Sequence, residues 1–175
     1  MGKLKRPNLL TFLKVPDADG GLGVFRLCGV YSDDLTISYN PVTEESQDVT
    51  EAAGRLDVMG YTVNMTVATK AVDKEGSKGY EVFNYVEGLM ERQATGSELE
   101  TEILVVKLYK PGKTEGSYFA QKWACVIQTD NIGGPAPESI GFEYTVNFNG
   151  EPTTGEAKLT TLENKDMTAE FTANV

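Results

Sequence analysis

Two groups of carboxylates are the residues of this chain whose type and spacing could do acid–base chemistry. One group is Glu44, Glu45, Asp48 and Glu51, and the other is Glu98, Glu100 and Glu102. Glycoside hydrolysis uses two carboxylates that face each other across the substrate. Each group is instead spread along one short segment, which is typical of a solvated strand face. The sequence therefore favours a surface role for both groups and predicts no enzyme.

Other catalytic and cofactor motifs are incomplete. The chain contains no histidine, which excludes Ser-His-Asp and Cys-His catalysis and removes a favoured zinc ligand. Gly20-Gly21-Leu22-Gly23 lacks the third glycine of a dinucleotide loop and the Gly-Lys-Ser/Thr of a phosphate loop. Asp17–Gly20 begins like a calcium loop, but Leu22 stands at its glycine position and Cys28 at its glutamate position. We expect no cofactor and no metal.

The composition is that of one acidic globular domain. The chain has 175 residues, 40% of them hydrophobic, and a net charge of −10, which suits a single domain with a sizeable core. A strongly acidic surface resists nonspecific DNA binding, because binding to the phosphate backbone requires cationic groups. This argues against a DNA reader, but not against a surface that DNA slides past.

The sequence also bears on where the protein folds. No apolar run approaches the roughly 18 residues that span a membrane. The basic N-terminus is followed by an apolar stretch from Leu9 to Leu13, which is shorter than the apolar core of about 7–15 residues in a signal peptide. We therefore expect folding in the cytosol without membrane insertion. Cys28 and Cys125 would then stay reduced and pack as small apolar side chains.

Alternating hydrophobicity predicts that most of the chain is β-structure. From Met59 to Val67 every second residue is apolar, and the residues between them are small or polar, which predicts a strand with one buried and one wet face. Phe142–Phe148 alternates in the same way, and Asn149-Gly150 directly after it is a strong hairpin-turn signal. Shorter strands are predicted at Leu9–Lys14, Val24–Cys28, Leu35–Tyr39 and Met167–Ala173.

Two further strands are apolar on both faces, which predicts central strands covered on both sides. They are Ile103–Leu108 and Phe119–Thr129. Trp123 is in phase with Phe119 and Ile127 within the second strand, so core packing is expected for it.

One segment, Tyr80–Gln93, has helical periodicity instead. Its apolar residues Val82, Phe83, Val86, Leu89 and Met90 fall on one stripe. Gly88 within it suggests a close packing contact, since a helical glycine costs roughly 1 kcal/mol relative to alanine. The periodicities together predict a β-sandwich or barrel of about eight or more strands, with one helix covering a face.

Three stretches, in this order, resemble the tail tube (major tail) proteins of long-tailed bacteriophages. The first runs from Ile37 to Glu51 and carries Tyr39-Asn40-Pro41 into the first acidic group. The second is Tyr80–Gly96, of the type Phe-x-Tyr-Val/Ile-x-x-Leu, which continues into Glu100–Tyr109. The third passes from Gln128-Thr129-Asp130 through Gly133-Gly134 to Tyr144–Pro152, close to a recurring Ile-Asn-Phe-Asn-Gly-Asp-Pro ending in which Glu151 replaces the aspartate.

The resemblance implies a mainly β fold of two packed antiparallel sheets, sandwich-like or barrel-like, with one flanking α-helix in a single domain. It implies self-assembly into hexameric rings that stack into a tube, through which DNA passes without specific binding. It also implies tail initiator or baseplate, tape measure and tail terminator proteins as partners. The protein would be assembled in the host bacterial cytoplasm and reside in the virion tail. Pairing of open strand edges around a ring is physically compatible with such an assembly.

In this family, strands from each subunit line the lumen, and loops or termini grip the next ring. The hairpin of Thr43–Asp57 and Met59–Val67 is accordingly the predicted lumen surface. Its predicted lumen-facing residues are Glu44, Glu45, Asp48, Glu51, Thr62, Asn64 and Thr66. The predicted ring-to-ring loop carries Lys74, Glu75 and Lys78. Residues 1–23 and the loop 40–58 are the candidate assembly arms. An ordinary exposed strand face is the alternative for the hairpin, and a surface loop without an assembly role is the alternative for Asp73–Lys78.

One variant of this function and one other class of function remain open. The tube of a contractile tail or of a phage-derived bacteriocin would require the same subunit. A small-molecule-binding β-barrel would instead be a monomer whose inward apolar residues line a pocket. Oligomeric state separates these classes, because tube subunits polymerise and ligand-binding proteins of this size need not.

Overall fold

The computed structural model describes residues 3–16, 23–30, 34–46, 55–73, 75–136, 138–163 and 165–174. Its strands are β1 (Leu9–Val15), β2 (Val24–Leu27), β3 (Asp34–Ser46), β4 (Arg55–Lys70), β5 (Glu100–Pro111), β6 (Ser117–Gly133), β7 (Gly141–Thr161) and β8 (Met167–Ala173). Within these ranges there is one α-helix, α1 (Tyr80–Glu91), with short 3₁₀ turns at Arg6–Asn8 and Gly96–Leu99. The prediction of a mainly β protein with one helix is confirmed.

The eight strands belong to one antiparallel sheet, in the order β3-β4-β7-β6-β5-β1-β2-β8. Because β8 also pairs with β7, the strands β1, β2, β8, β7, β6 and β5 close on themselves and form a barrel. The first half of β7 and the end of β6 continue outward with β4 and β3, and we call these four strands the sheet extension. The described strands thus form one sheet that closes on itself, which is the barrel-like form of the predicted fold. A packing of two separate sheets is not seen among them.

β7 is shared by both parts of the molecule, and it corrects one prediction. Asn149-Gly150 does not form a hairpin turn, because it lies inside β7, which continues to Thr161. Phe148 is the last β7 residue paired with β4, and Gly155 is the first paired with β8. Gly150 has a φ of 68°, which glycine adopts readily, and the ladder with β6 is irregular at this point. The dipeptide marks the bend where the strand passes from the sheet extension to the barrel.

The core lies on both faces of the closed sheet. One cluster draws on all six barrel strands and fills the interior: Phe12, Leu27, Leu104, Val106, Ala120, Ala157 and Ala169. Ile103 and Val105 alternate with the β5 members of this cluster and are buried on the outer face, under α1. The prediction that β5 is covered on both sides is confirmed.

Over its second half, β6 is buried on one face only. The prediction that Phe119–Thr129 is covered on both faces is therefore wrong for this half. Trp123, Cys125 and Ile127 are buried in the cluster under α1. The ring centroids of Trp123 and Phe148 are 5.0 Å apart. Ala124 on the other face is exposed. The strand has left the barrel by this point, so no described element covers that face.

α1 packs on the outer face of the sheet through an apolar stripe. Val82, Phe83, Val86 and Leu89 are buried. The Phe83 ring meets that of Phe142 edge-on, with 5.0 Å between ring centroids. The helical stripe that the sequence predicts is therefore confirmed.

Two details of the predicted helix are wrong. The helix ends at Glu91 and not at Gln93, which takes a positive φ of 49°. Gly88 does not mark a close contact, because a Cβ built at this position would meet nothing within 4 Å.

Both cysteines are buried and free, as predicted. Burial raises the pKa of Cys28 and of Cys125 to about 12. Both thiols therefore stay protonated at neutral pH, and a protonated thiol is a poor nucleophile.

Candidate assembly surface

A long hairpin projects from the body of the molecule. β3 and β4 pair from Asp34↔Ala68 to Ser46↔Arg55, whereas β4 pairs with β7 only as far as Val63. Beyond Val63 the one described partner of β4 is β3, so the outer hairpin is a two-stranded ribbon. Much of the segment 40–58, which is a loop in the sequence-based prediction, is therefore strand, and residues 47–54 lie outside the described residues.

A β-bulge at Met59 sets which side chains share a face of the hairpin. Val42 pairs with Gly60 and Thr43 pairs with Val58, so Met59 has no register partner. The extra residue shifts the alternation of the outer strand by one position. Val58 and the residues before it consequently lie on the opposite face from the one that a regular strand would give them.

The bulge collects apolar side chains into one exposed stripe. We define the apolar stripe as Tyr39, Leu56, Val58, Met59 and Tyr61, whose side chains are 51% to 66% exposed. Further along the same face of β4, Met65 and Val67 are buried under α1. The predicted alternation is confirmed, but the prediction of one buried face is wrong for the first half of the strand, because α1 does not extend over the outer hairpin.

The opposite face of the hairpin, which we call the polar face, holds several of the predicted lumen-facing residues. Thr62, Asn64 and Thr66 pair with Asn40, Ser38 and Thr36. Glu44 shares their face by strand alternation, whereas Glu45 lies on the apolar side, opposite Leu56. Asp48 and Glu51 fall outside the described residues.

The polar face continues across β7 and β6 with hydrogen bonds that the sequence motifs do not predict. Thr145 Oγ1 donates to Asp130 Oδ2 at 2.8 Å, and Gln128 Nε2 donates to Asp130 Oδ1 at 3.1 Å. Asn131 Nδ2 donates to Glu143 Oε2 at 2.8 Å. A second bulge, at Asp130, gives this group its geometry. The polar run from Gln128 to Asn131 is the sequence signal that could have found it.

The central part of the polar face is built without cationic residues. Neither lysine nor arginine occurs in residues 36–44, 60–68, 128–131 or 143–147. Hydroxyl, amide and carboxylate groups, together with the exposed side chain of Val42, are therefore what this face presents to solvent. Such a surface repels a phosphate backbone at short range, within a screening length of about 8 Å in physiological salt.

The predicted ring-to-ring loop lies at the other end of β4 from the hairpin tip. Glu75 is exposed, and Lys78 is half-buried in a cleft of about 430 Å³ that Arg6 also lines. Lys74 lies outside the described residues. Most of the length of β4 thus separates this loop from Glu44 and Glu45, whereas Thr66 is only four residues from the end of β4 that precedes the loop.

Part of the N-terminal candidate arm belongs to the barrel. Residues 9–15 form β1, which pairs with β2 on one side and with β5 on the other. Phe12 of this strand is buried in the barrel interior. Within the described residues, only those before β1 are therefore positioned to act as an arm.

The second carboxylate group does not form an acid–base pair. Glu102 bonds to Lys14 Nζ at 2.5 Å and to Lys122 Nζ at 3.0 Å. Burial raises the pKa of the Glu102 carboxyl, but the bonds from the two lysines outweigh burial and lower it overall. Glu98 and Glu100 are exposed. The described part of the chain contains no group of three His, Cys, Asp or Glu side chains that could hold a metal ion.

None of the helices within the described ranges has the length and apolar character that a bilayer span requires.

Comparison with solved structures places this arrangement among known folds. A chain from the tail of an empty gene transfer agent (GTA) particle, obtained by helical refinement with C6 symmetry, is 12% identical to this chain. It superposes with a TM-score of 0.56 over 86% of this chain and 97% of that chain. This chain shares its fold.

A chain from the virion of the native GTA particle matches equally well. It is 11% identical, with a TM-score of 0.56 over 87% of this chain and 98% of that chain. No protein-family model and no curated protein sequence matches at a significant level. The likeness in fold agrees with the resemblance to phage tail proteins that the sequence motifs indicate.

Proposed function

We propose that this chain is a structural subunit of a phage-like tail tube, which self-assembles into stacked hexameric rings around a DNA-conducting channel. The shared fold spans almost the whole of two GTA chains, and one of these comes from a tail with C6 symmetry. The observation that carries the proposal is that the sheet extension has an open strand edge on each side of one polar face.

The two open edges belong to different strands. The first is β3, whose outer edge pairs with no described strand. The second is the end of β6, because the ladder with β5 stops at Val126 and leaves Ile127–Gly133 without a described partner on that side. Open edges present main-chain N–H and C=O groups to other chains. Pairing of β3 in one copy with β6 in the next joins copies head to tail, and such contacts close into a ring if the rotation allows.

A ring of this kind would have an inner and an outer wall. α1 covers one face of the sheet extension, so the polar face is the one that we assign to the lumen. DNA would then meet Thr62, Asn64, Thr66 and Glu44, together with the carboxylates of β6 and β7, and no cationic groups along the central strands. Repulsion from the carboxylates supports passage without specific binding.

The proposal includes partners and a place of assembly. The protein would act as a structural component and not as an enzyme, and its main partner would be further copies of itself. Tail initiator or baseplate, tape measure and tail terminator proteins would complete the tail, which assembles in the host cytoplasm. The tube of a contractile tail or of a phage-derived bacteriocin would use the same subunit geometry.

A small-molecule-binding barrel is less well supported. The barrel interior is filled by apolar side chains from all six strands, among them Phe12, Leu104 and Val106. A ligand-binding barrel keeps an internal cavity of several hundred Å³, on the order of 300–1,000 Å³. The described clefts of this size open at the surface instead.

The first test is the size of the purified protein as a function of concentration, by light scattering and negative-stain microscopy. Rings or hollow tubes are the expected result. A protein that stays monomeric at high concentration, and also in the presence of tail initiator complexes, would overturn the proposal.

Hydrogen exchange on the monomeric and assembled forms tests the strand edges themselves. Amides of β3 and of Ile127–Gly133 should gain protection on assembly, because their open edges become paired. β5 is the internal control, since it is paired on both sides within one copy. Assembly without added protection at either edge would show that the copies join in another way.

A further inference from the structure

We propose that the apolar stripe of one copy inserts into an apolar cleft beside α1 of a second copy. This inference rests on the proposed self-assembly and names the surface that the hairpin recognises. It is separate from edge pairing, because it uses side chains of the outer hairpin and not the main chain of β3.

The acceptor, which we call the helix cleft, lies between the first turns of α1 and the connection from β6 to β7. Its volume is about 550 Å³, and it is a depression that is open to solvent rather than an enclosed pocket. Tyr80 and Phe83 of α1 line one side of the cleft. Ile132 and Ile140 line it from the β6–β7 side and are 46% and 55% exposed. The helix cleft therefore has an apolar lining that is open to a partner.

Exposed large apolar side chains concentrate on these two surfaces. Ten described side chains fall in this class, of which five belong to the apolar stripe and two to the helix cleft. Single exposed apolar residues scattered over a surface are normal, whereas clusters mark interaction sites. The apolar stripe and the helix cleft are therefore the two described surfaces on which exposed apolar side chains cluster, which marks both as candidate interaction sites.

The apolar stripe of one copy cannot reach the helix cleft of the same copy. Met59 and Lys70 are eleven residues apart along β4, which is roughly 35 Å at about 3.3 Å per residue. Ala71 follows directly and lines the helix cleft. Since the two surfaces lie at opposite ends of one strand, the stripe has to enter the cleft of another copy. A contact between two different surfaces is heterologous and repeats head to tail.

The chemistry of the two surfaces is complementary. Asp73 and Glu87 line the helix cleft beside its apolar residues, and no lysine or arginine is among the described lining residues. Tyr39 and Tyr61 of the stripe carry phenol hydroxyls, which donate hydrogen bonds to carboxylates. Met59 supplies a flexible thioether that packs well against aromatic rings. Aromatic anchors seated in a pocket are the residues that usually dominate the energy of an interface.

The bulge at Met59 has a role in this contact. Without it, Leu56 and Val58 would lie on the polar face, and the stripe would lose two of its five members. The bulge therefore aligns the whole stripe toward one partner surface.

Site-specific cross-linking tests the contact directly. Met59→Cys and Ile140→Cys are made in separate chains, mixed, and treated with a short bis-maleimide. The native thiols are buried and stay protonated at neutral pH, so the introduced thiols react first. The expected product is a cross-linked dimer that contains one chain of each kind. The matched control pairs Ile140→Cys with Thr62→Cys, which lies on the polar face of the same hairpin and should give little dimer.

A complementation assay provides a second readout. Tyr61→Glu disables the stripe and Ile140→Glu disables the cleft, and both residues are exposed, so both variants should fold with an unchanged melting temperature. Each variant alone should require at least a roughly tenfold higher concentration to assemble. An equal mixture keeps one intact stripe and one intact cleft per pair, so it should form dimers and nothing larger through this contact.

The outcomes separate this inference from the proposed function. If the wild-type protein assembles, but the Met59 and Ile140 cysteines cross-link no better than the control pair, the stripe–cleft contact is wrong and the tube proposal stands. Assembly of both glutamate variants at the wild-type concentration would have the same meaning. If the wild-type protein never assembles, both proposals fail.

Discussion

The barrel and the outer hairpin differ in whether one copy of the chain buries its own apolar side chains. In the barrel, every strand has two partners and contributes to a filled interior. In the outer hairpin, β4 has one described partner, and its apolar residues are exposed. β8 in the barrel and β4 in the hairpin both alternate apolar and polar residues. Outside the bulges, periodicity therefore determines which residues share a face, but not whether the same copy buries that face.

The largest effect that tests this contrast is a truncation inside the barrel. Phe12→Ala removes a fully buried ring, and it should lower the free energy of unfolding by roughly 3–5 kcal/mol. Tyr61→Ala in the outer hairpin is the matched control and should change it by only about 0.5 kcal/mol or less, because the ring is exposed. Denaturant titration of both monomers measures the difference. Equal losses would mean that the hairpin is part of the folding core.

The cover provided by α1 is tested by Leu89→Ala. Leu89 is fully buried between the helix and the sheet, so its truncation should cost roughly 2–5 kcal/mol. Glu91→Ala, at an exposed position of the same helix, is the control and should have little effect. A melting temperature that is unchanged in the Leu89 variant would contradict the assigned packing.

A smaller change of opposite sign is expected at the neighbouring position. Gly88→Ala should stabilise the protein by up to about 1 kcal/mol, because alanine loses less backbone freedom in a helix than glycine does. The added methyl group meets nothing within 4 Å. Thermal unfolding of the monomer measures the gain, and a loss would reveal a contact on that side of α1.

The smallest expected effect is a pH dependence at one end of the barrel. The Glu156 carboxylate accepts hydrogen bonds from Ser117 Oγ at 2.7 Å and from the main-chain N–H groups of Lys113 and Thr114 at 2.6 and 3.0 Å. The bond from Ser117, followed by these N–H groups, holds the pKa of Glu156 at about 2. Since the folded pKa lies below the unfolded value of 4.5, this stabilisation is complete above pH 4.5 and is lost as the pH falls toward 2.

Glu156→Gln should therefore reduce stability at pH 7 and weaken the decline in stability between pH 4.5 and pH 2. Denaturant titrations across this range compare it with wild type, and Glu151→Gln on the same strand is the control. If wild type and the Glu156 variant lost stability identically between pH 4.5 and pH 2, the Glu156 carboxylate would not be the source of the pH dependence.

The elements of the fold could largely be read from sequence, because they depend on local periodicity. β5 is apolar on both faces and is buried on both, and α1 carries its stripe where the spacing predicts it. Asn149-Gly150 shows the limit of local signals. A dipeptide that favours a turn stays inside β7, because pairing with β6 continues on either side of it.

The candidate site was harder to predict for a related reason. Strand alternation alone separates Glu44 from Glu45, but the bulges at Met59 and Asp130 depend on the register with a neighbouring strand, which no local pattern determines. The exposure of Tyr61 likewise depends on how far α1 extends over the sheet, which is a property of the whole domain. The helix cleft joins segments that are distant in sequence, so no motif marks it.

The continuity of β7 has a mechanical consequence. A pull along the hairpin is carried by the eight residue pairs between β4 and β7, and these pairs bear the load side by side instead of opening one after another. From there the load enters the barrel along the same strand, with no loop in its path. The base of the hairpin is thus anchored in a closed barrel by one continuous strand, whereas its outer part is a two-stranded ribbon. An assembly of such subunits would deform in these outer ribbons and at the joints between copies before it deforms in the barrels.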